Sequence, residues 1–174
     1  MRLRLIGFAT VIATLIADQL SKAWILTLFD QNAPVGARHI PVFPFFDLVL
    51  WWNRGVSFGM LVHEHDFMPY VLTGLALVIA ALLGFWLWRT GRLLESIALG
   101  LVIGGAVGNV IDRLRFGAVV DFLYFYYQDW YWPAFNIADS AICIGVILML
   151  FFGSELKIRK SLGQDTVGSG PKSA

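Results

Sequence analysis

Cysteine is almost absent from this chain. A single one, Cys143, permits neither a disulfide framework nor a cysteine-rich metal site. Charge is scarce as well. Asp, Glu, Lys and Arg make up 14% of the residues, where a soluble domain carries about 25%. That deficit excludes both an ordinary soluble domain and a charged disordered chain. Neither sign dominates, with 13 Lys and Arg against 12 Asp and Glu. No basic field exists to hold phosphates, so nucleic acid is excluded as a partner. Several catalytic signatures are missing too. There is no His-Glu-x-x-His zinc motif, since His63-Glu64-His65 lacks the one-turn spacing. The Asp-Thr/Ser-Gly motif of soluble aspartic proteases is absent, and Gly104-Gly105-Ala106-Val107-Gly108 lacks the Lys-Ser/Thr ending of a phosphate loop. All three histidines, His39, His63 and His65, fall in one connecting segment, which leaves no Ser-His or Cys-His pair on a helix.

Apolar length is what the chain has, at 58% hydrophobic residues. Crossing a bilayer takes about 20 such residues, and four stretches meet that length. They run from Leu3 to Phe29, Pro69 to Trp88, Leu93 to Ile111 and Phe135 to Gly153. The first begins with Arg2 and Arg4, as a signal peptide does, but it is longer than an h-region of about 7–15 residues and carries Asp18 and Lys22. It reads as a retained helix. In a four-helix weave, eight Lys and Arg flank one side (Arg2, Arg4, Arg89, Arg92, Lys157, Arg159, Lys160 and Lys172) against four on the other (Arg38, Arg54, Arg113 and Arg115). The excess places both termini in the cytoplasm. Between the first two spans, Phe46 to Trp52 is rich in β-formers and precedes the turn residues Asn53-Arg54-Gly55, which predicts a small β-ribbon within segment 30–68. The aromatic run Tyr124 to Trp132 fits an interfacial belt. The expected fold class is an all-α membrane protein: four transmembrane helices over residues 1–160, an extracytoplasmic β-ribbon or cradle, and a disordered cytoplasmic tail over 161–174.

An ionisable group inside a membrane costs about 2.5–3.5 kcal/mol on insertion scales, so each one is a functional suspect. Helix rise, about 1.5 Å per residue, estimates their depth. Asp18 lies roughly 21 Å above Arg4 and Lys22 roughly 27 Å; Asn109 lies roughly 26 Å above Arg92, and Asp139 roughly 27 Å above Lys157. Asp112 and Arg113 follow directly. Polar groups from three helices thus converge on one layer near the outer face. Each has a plainer explanation: Asp18 and Lys22 at i,i+4 can neutralise one another, Asn109, Asp112 and Arg113 can end a helix, and Asn136 and Asp139 can cap one. Asp121 has no such explanation, because it interrupts Ala118-Val119-Val120 and Phe122-Leu123. Two carboxylates at a membrane boundary, Asp121 and Asp139, point to paired-carboxylate chemistry. One keeps a proton while the other draws a proton from a water that attacks a peptide carbonyl. A small proton-coupled transporter is the alternative, although a relay needs groups spaced across the membrane.

Four segments resemble motifs of the bacterial lipoprotein signal peptidase (signal peptidase II) family. They are Asp18-Gln19-Leu20-Ser21-Lys22, Asn53-Arg54-Gly55-Val56-Ser57-Phe58-Gly59, the stretch from Gly104 through Asn109, Asp112 and Arg113 to Asp121-Phe122, and Pro133-Ala134-Phe135-Asn136-Ile137-Ala138-Asp139-Ser140. They occur in family order. The resemblance implies a membrane aspartic endopeptidase with Asp121 and Asp139 as its catalytic aspartates. Asp18, Lys22, Asn53, Asn109, Asp112, Arg113 and Asn136 would support the dyad and bind substrate. It implies cleavage of diacylglyceryl-modified prolipoproteins just before the lipidated cysteine, at the outer face of the cytoplasmic (inner) membrane. It further implies contact with membrane lipid, inhibition by globomycin-type compounds and no cofactor. The chain is expected to act as a monomer.

Overall fold

The computed structural model describes residues 2–32, 34, 38–55 and 67–165, with side chains as far as Phe151. The element order is α1 (Arg2–Leu28), β1 (His39–Phe43), β2 (Phe46–Asn53), α2 (Met68–Arg89), α3 (Leu93–Phe116), β3 (Val119–Tyr127), β4 (Trp130–Tyr131) and α4 (Ile137–Asp165). Three helices, α1, α2 and α3, are long and apolar enough to cross a membrane. The apolar part of α4 within the described side chains, Ile137–Phe151, is shorter. The helix continues past residue 160 to Asp165, and residues 166–174 of the expected tail lie outside the described residues.

Helix α3 is the central pillar. Two-thirds of its apolar window is buried inside the protein, against 17% for α1 and 11% for α2, whose apolar side chains face outward. Small residues make that position possible by letting backbones approach. A Cβ on Gly100 would lie 2.6 Å from the Gly7 carbonyl oxygen, and one on Gly104 would lie 2.8 Å from both the Val11 oxygen and the Thr14 Cβ. Gly105 meets Ala138 in the same way, and Gly145 of α4 meets the Ala98 carbonyl at 2.7 Å. The glycine run of α3 is therefore a packing surface for α1 on one side and α4 on the other.

The β-structure is larger than the ribbon expected from residues 46–52. Strands β1, β2, β3 and β4 form one antiparallel order. Strand β3 takes in Asp121 and the first part of the aromatic run, because β-branched and aromatic residues suit a pleated, half-buried surface. The rings of Tyr127, Trp130, Tyr131 and Trp132 remain exposed. Leu50, Val120 and Phe122 of the sheet close over Ile25 and Phe29 at the end of α1. Since β1 and β2 follow α1 and β3 follows α3, the sheet covers the end of the bundle where those two helices stop.

Replacing Gly104 by leucine should lower the thermal midpoint of the detergent-purified protein, by about 1–3 kcal/mol of stability. At Gly84 a methyl group would meet nothing within 4 Å, so alanine there should be accepted without loss in the same melt.

Candidate active site

The site is assembled where α1, α3, α4 and β3 meet. Lys22 and Asp18 lie one helical turn apart on α1, with Nζ 2.9 Å from Asp18 Oδ2. That ammonium is also 2.8 Å from Asp112 Oδ2 and donates to Asn109 Oδ1 at 3.1 Å. Both carboxylates are further occupied. Asp18 Oδ1 accepts the Ala138 backbone N–H at 3.0 Å, satisfying a free amide in the first turn of α4. Asp112 Oδ2 accepts the Val120 N–H at 3.1 Å, which ties α3 to the start of β3. Gln19 donates to Asp112 Oδ1 at 3.0 Å and to Asp18 Oδ2 at 3.2 Å. No motif or spacing argument assigned Gln19 a role. Its signal in the sequence is its place between Asp18 and Lys22 in the first of the four segments.

Asp139 lies in the first turn of α4, and its position is set by a reciprocal cap. Its N–H donates to Asn136 Oδ1 at 3.0 Å, while the Asn136 N–H donates to Asp139 Oδ2 at 3.3 Å. Asn109 completes the carboxylate's surroundings with an amide donated to Oδ1 at 2.8 Å. Asp121 approaches from β3. Phe122 and Leu123 both donate their N–H groups to the Phe135 carbonyl, at 3.0 and 2.9 Å, and Phe135 returns one to Leu123. This short pairing lays the approach to α4 alongside β3 and sets Asp121 next to Asn136.

Asn136 is wholly buried and touches both acids. Its Nδ2 donates to Asp121 Oδ1 at 2.7 Å, on the same side chain that caps Asp139. Asn53, at the end of β2, donates to Asp121 Oδ2 at 2.9 Å, and its own Oδ1 accepts the Gly55 N–H at 2.8 Å. Gly55 takes a φ of 98°, in the left-handed region that the turn after Asn53 demands. Arg113 stands in the field of Asp139, Asp121 and Asp112, and its buried Nε has no hydrogen-bond partner among the described residues.

All nine residues singled out from the sequence therefore gather in one place. His63, Glu64, His65 and the Val56 to Gly59 portion of the second motif lie outside the described residues. His39 is elsewhere, paired at 2.6 Å with Asp47, which also accepts from Tyr126 at 3.1 Å. Among the described residues, no group of His, Cys, Asp and Glu has the arrangement of a metal site. Burial pushes the Asp121 carboxyl up to about 7, and the charge of Asp139 adds to it against the two asparagine hydrogen bonds.

Residues 10–153 match the family model for signal peptidase (SPase) II. The chain belongs to the signal peptidase II family. A lipoprotein signal peptidase of Methylobacterium sp. is 42% identical over 150 residues, covering 86% of this chain and 89% of its own. One of Nitrobacter hamburgensis is 43% identical, covering 83% and 89%. Among solved structures, a bacterial membrane enzyme determined by the in meso method at 1.9 Å resolution aligns with a TM-score of 0.68 at 28% identity, over 83% of this chain and 90% of that one. A second, titled in the same way at 2.3 Å, aligns with a TM-score of 0.69 at 27% identity, over 97% and 93%.

Two outcomes test this electrostatic arrangement. Lys22→Ala strands two buried carboxylates and should cost about 3–5 kcal/mol, read as a depressed melting midpoint. The second concerns pH. Asp121 holds its proton up to about 7 when folded, whereas an unfolded carboxyl loses it near about 3.9. Folded protein then binds the extra proton between those values, so its stability falls as pH rises from about 4 to about 7. The wild-type midpoint should drop between pH 5 and pH 8, and Asp121→Asn should flatten that drop.

Proposed function

We propose that the chain is a membrane-embedded aspartic endopeptidase that removes the signal peptide from diacylglyceryl-modified prolipoproteins, cutting just before the lipidated cysteine. The observation that carries this reading is Asn136, hydrogen-bonded to Asp121 through its amide and to Asp139 through its cap. It holds the two carboxyls as neighbours without neutralising either.

The dyad works as a unit sharing one proton. Four carboxylates, Asp18, Asp112, Asp121 and Asp139, surround two cations, Lys22 and Arg113, and full ionisation would leave an excess of negative charge. With its carboxyl pushed up to about 7, Asp121 is the natural holder of the shared proton and Asp139 the base. Asp139 draws a proton from a water between them, the water oxygen bonds to the scissile carbonyl carbon, and Asp121 protonates the departing nitrogen as the C–N bond breaks. Arg113, in the field of both acids, favours the negative charge that develops as the water attacks. Asn53 and Asn109 hold the outer oxygens of the pair.

The same reading puts four spans in the bacterial cytoplasmic (inner) membrane, both termini in the cytoplasm and the site near the outer face, beneath the sheet. A lipidated cysteine rests at that depth. The sheet and its exposed aromatic rings form a cradle for the lipid-bearing substrate, and globomycin-type inhibitors compete for the same place. Clustering of the carboxylates at the sheet end disfavours a proton relay, which needs groups spaced across the bilayer.

Purified protein incubated with a diacylglyceryl-modified prolipoprotein should cleave it, and globomycin should block the cleavage. Asp121→Asn and Asp139→Asn should each reduce turnover by at least about a hundredfold while the protein still melts cooperatively. Normal turnover in either variant removes that residue from the chemistry.

A further inference from the structure

The sheet presents two different faces. Trp52 and Val120 are cross-strand partners and, with Leu50 of β2, pack towards Ile25 and Phe29 at the end of α1. Asn53 and Asp121, each one position along, turn to the opposite face, where they bond to one another. On the α1 side, away from the aspartates, lies an open hollow of about 310 Å³ lined by Gln31, Trp52, Arg54, Phe116 and Ala118. Its wall is aromatic. The Trp52 and Phe116 rings meet edge to face with centroids 5.4 Å apart.

Arg54 is the charged residue of the lining. Arg54 is exposed and makes no ion pair among the described residues. The Arg115 guanidinium lies 4.8 Å from the centre of the Phe116 ring. Arg115 belongs to the last turn of α3, where a cation answers the partial negative charge of the helix end. Arg54 comes from a different element and answers no such charge. The nearby Asp30 is turned to its own backbone, accepting the Asn32 N–H at 2.9 Å. The hollow sits where α1 ends at Leu28 and α3 at Phe116, the level at which apolar spans give way to water and aromatic side chains gather.

We propose that this hollow binds the phosphate headgroup of an anionic phospholipid, in a site separate from the aspartate pair. The Arg54 guanidinium and the Gln31 amide meet the phosphate oxygens, Arg supplying the planar donors that suit them. Trp52 and Phe116 cover the glycerol and the first methylenes. The volume is that of a small-ligand site. A lipid seated there would brace β2 behind Asn53, on the face opposite its bond to Asp121. The proposal requires that the helices sit in a bilayer and is independent of the peptidase reading.

Native mass spectrometry of the full chain in detergent tests it, with phosphatidylglycerol and phosphatidylcholine of matched chains as probes. One phosphatidylglycerol should be retained in preference to phosphatidylcholine. Arg54→Gln should weaken its retention about fivefold, the effect of one Arg at a lipid surface, and leave phosphatidylcholine unchanged. Arg54→Lys, which keeps the charge but not the planar donors, should fall between the wild type and Arg54→Gln. Excess inorganic phosphate should not displace the lipid. Equal retention of the two lipids, an unaltered preference in Arg54→Gln, or a Lys variant as weak as the Gln variant at an unchanged melting midpoint would each overturn the proposal. Displacement by phosphate would overturn it in favour of a free-phosphate site.

Discussion

The ammonium of Lys22 lies 2.9 Å from Asp18, 2.8 Å from Asp112 and 3.1 Å from Asn109, with only 3% of its side chain exposed. Around it three helices and a strand are brought into register. Asp18 reaches on to the first turn of α4, Asp112 to the Val120 amide of β3, and Asn109 to Asp139. A charge so buried is strongly destabilising unless paired and hydrogen-bonded, so each link is obligatory for the others. Small residues on α3 let the backbones come close enough for these short side chains to meet. The glycine packing and the polar layer are therefore one device.

The surroundings of the two proposed catalytic acids follow from that frame. Asparagine, neutral and able to donate and accept at once, supplies nearly every contact to Asp121 and Asp139. Lys22 is kept one layer back, on Asp18 and Asp112, and Arg113 acts on the pair through its field. A lysine placed directly on the pair would hold both carboxyls ionised. Amide donors orient them while leaving burial and mutual repulsion free to raise Asp121 to about 7, the range in which an acid can both hold and release a proton near neutrality.

Much of this is legible in the sequence, for identifiable reasons. Apolar length marks the helices, since it reports directly on the surrounding medium. Helix rise places Asp18, Lys22, Asn109 and Asp139 at a common depth because rise per residue is nearly constant. Asp139 reads as a cap residue, and it is one. Its cap partner is Asn136, the residue that also holds Asp121. The β-structure is legible only in part. Strand β3 draws its partners from β2, across the whole of α2 and α3, and the Phe135 pairing that steers Asp121 involves backbone amides of no special residue type. Gln19 and the His39–Asp47–Tyr126 cluster leave no periodic trace for the same reason.

The sequence by itself determined the apolar helices, the common level of the polar residues along them and the residue types available for chemistry. These are properties of composition and of the regular rise of a helix. Only the tertiary structure decided which polar groups face one another, that one asparagine touches both acids, and that the sheet carries Asp121 on one face and the hollow beside Arg54 behind it. Such pairings depend on contacts between residues far apart in the chain, where the closest approach is set by packing and not by spacing along the backbone.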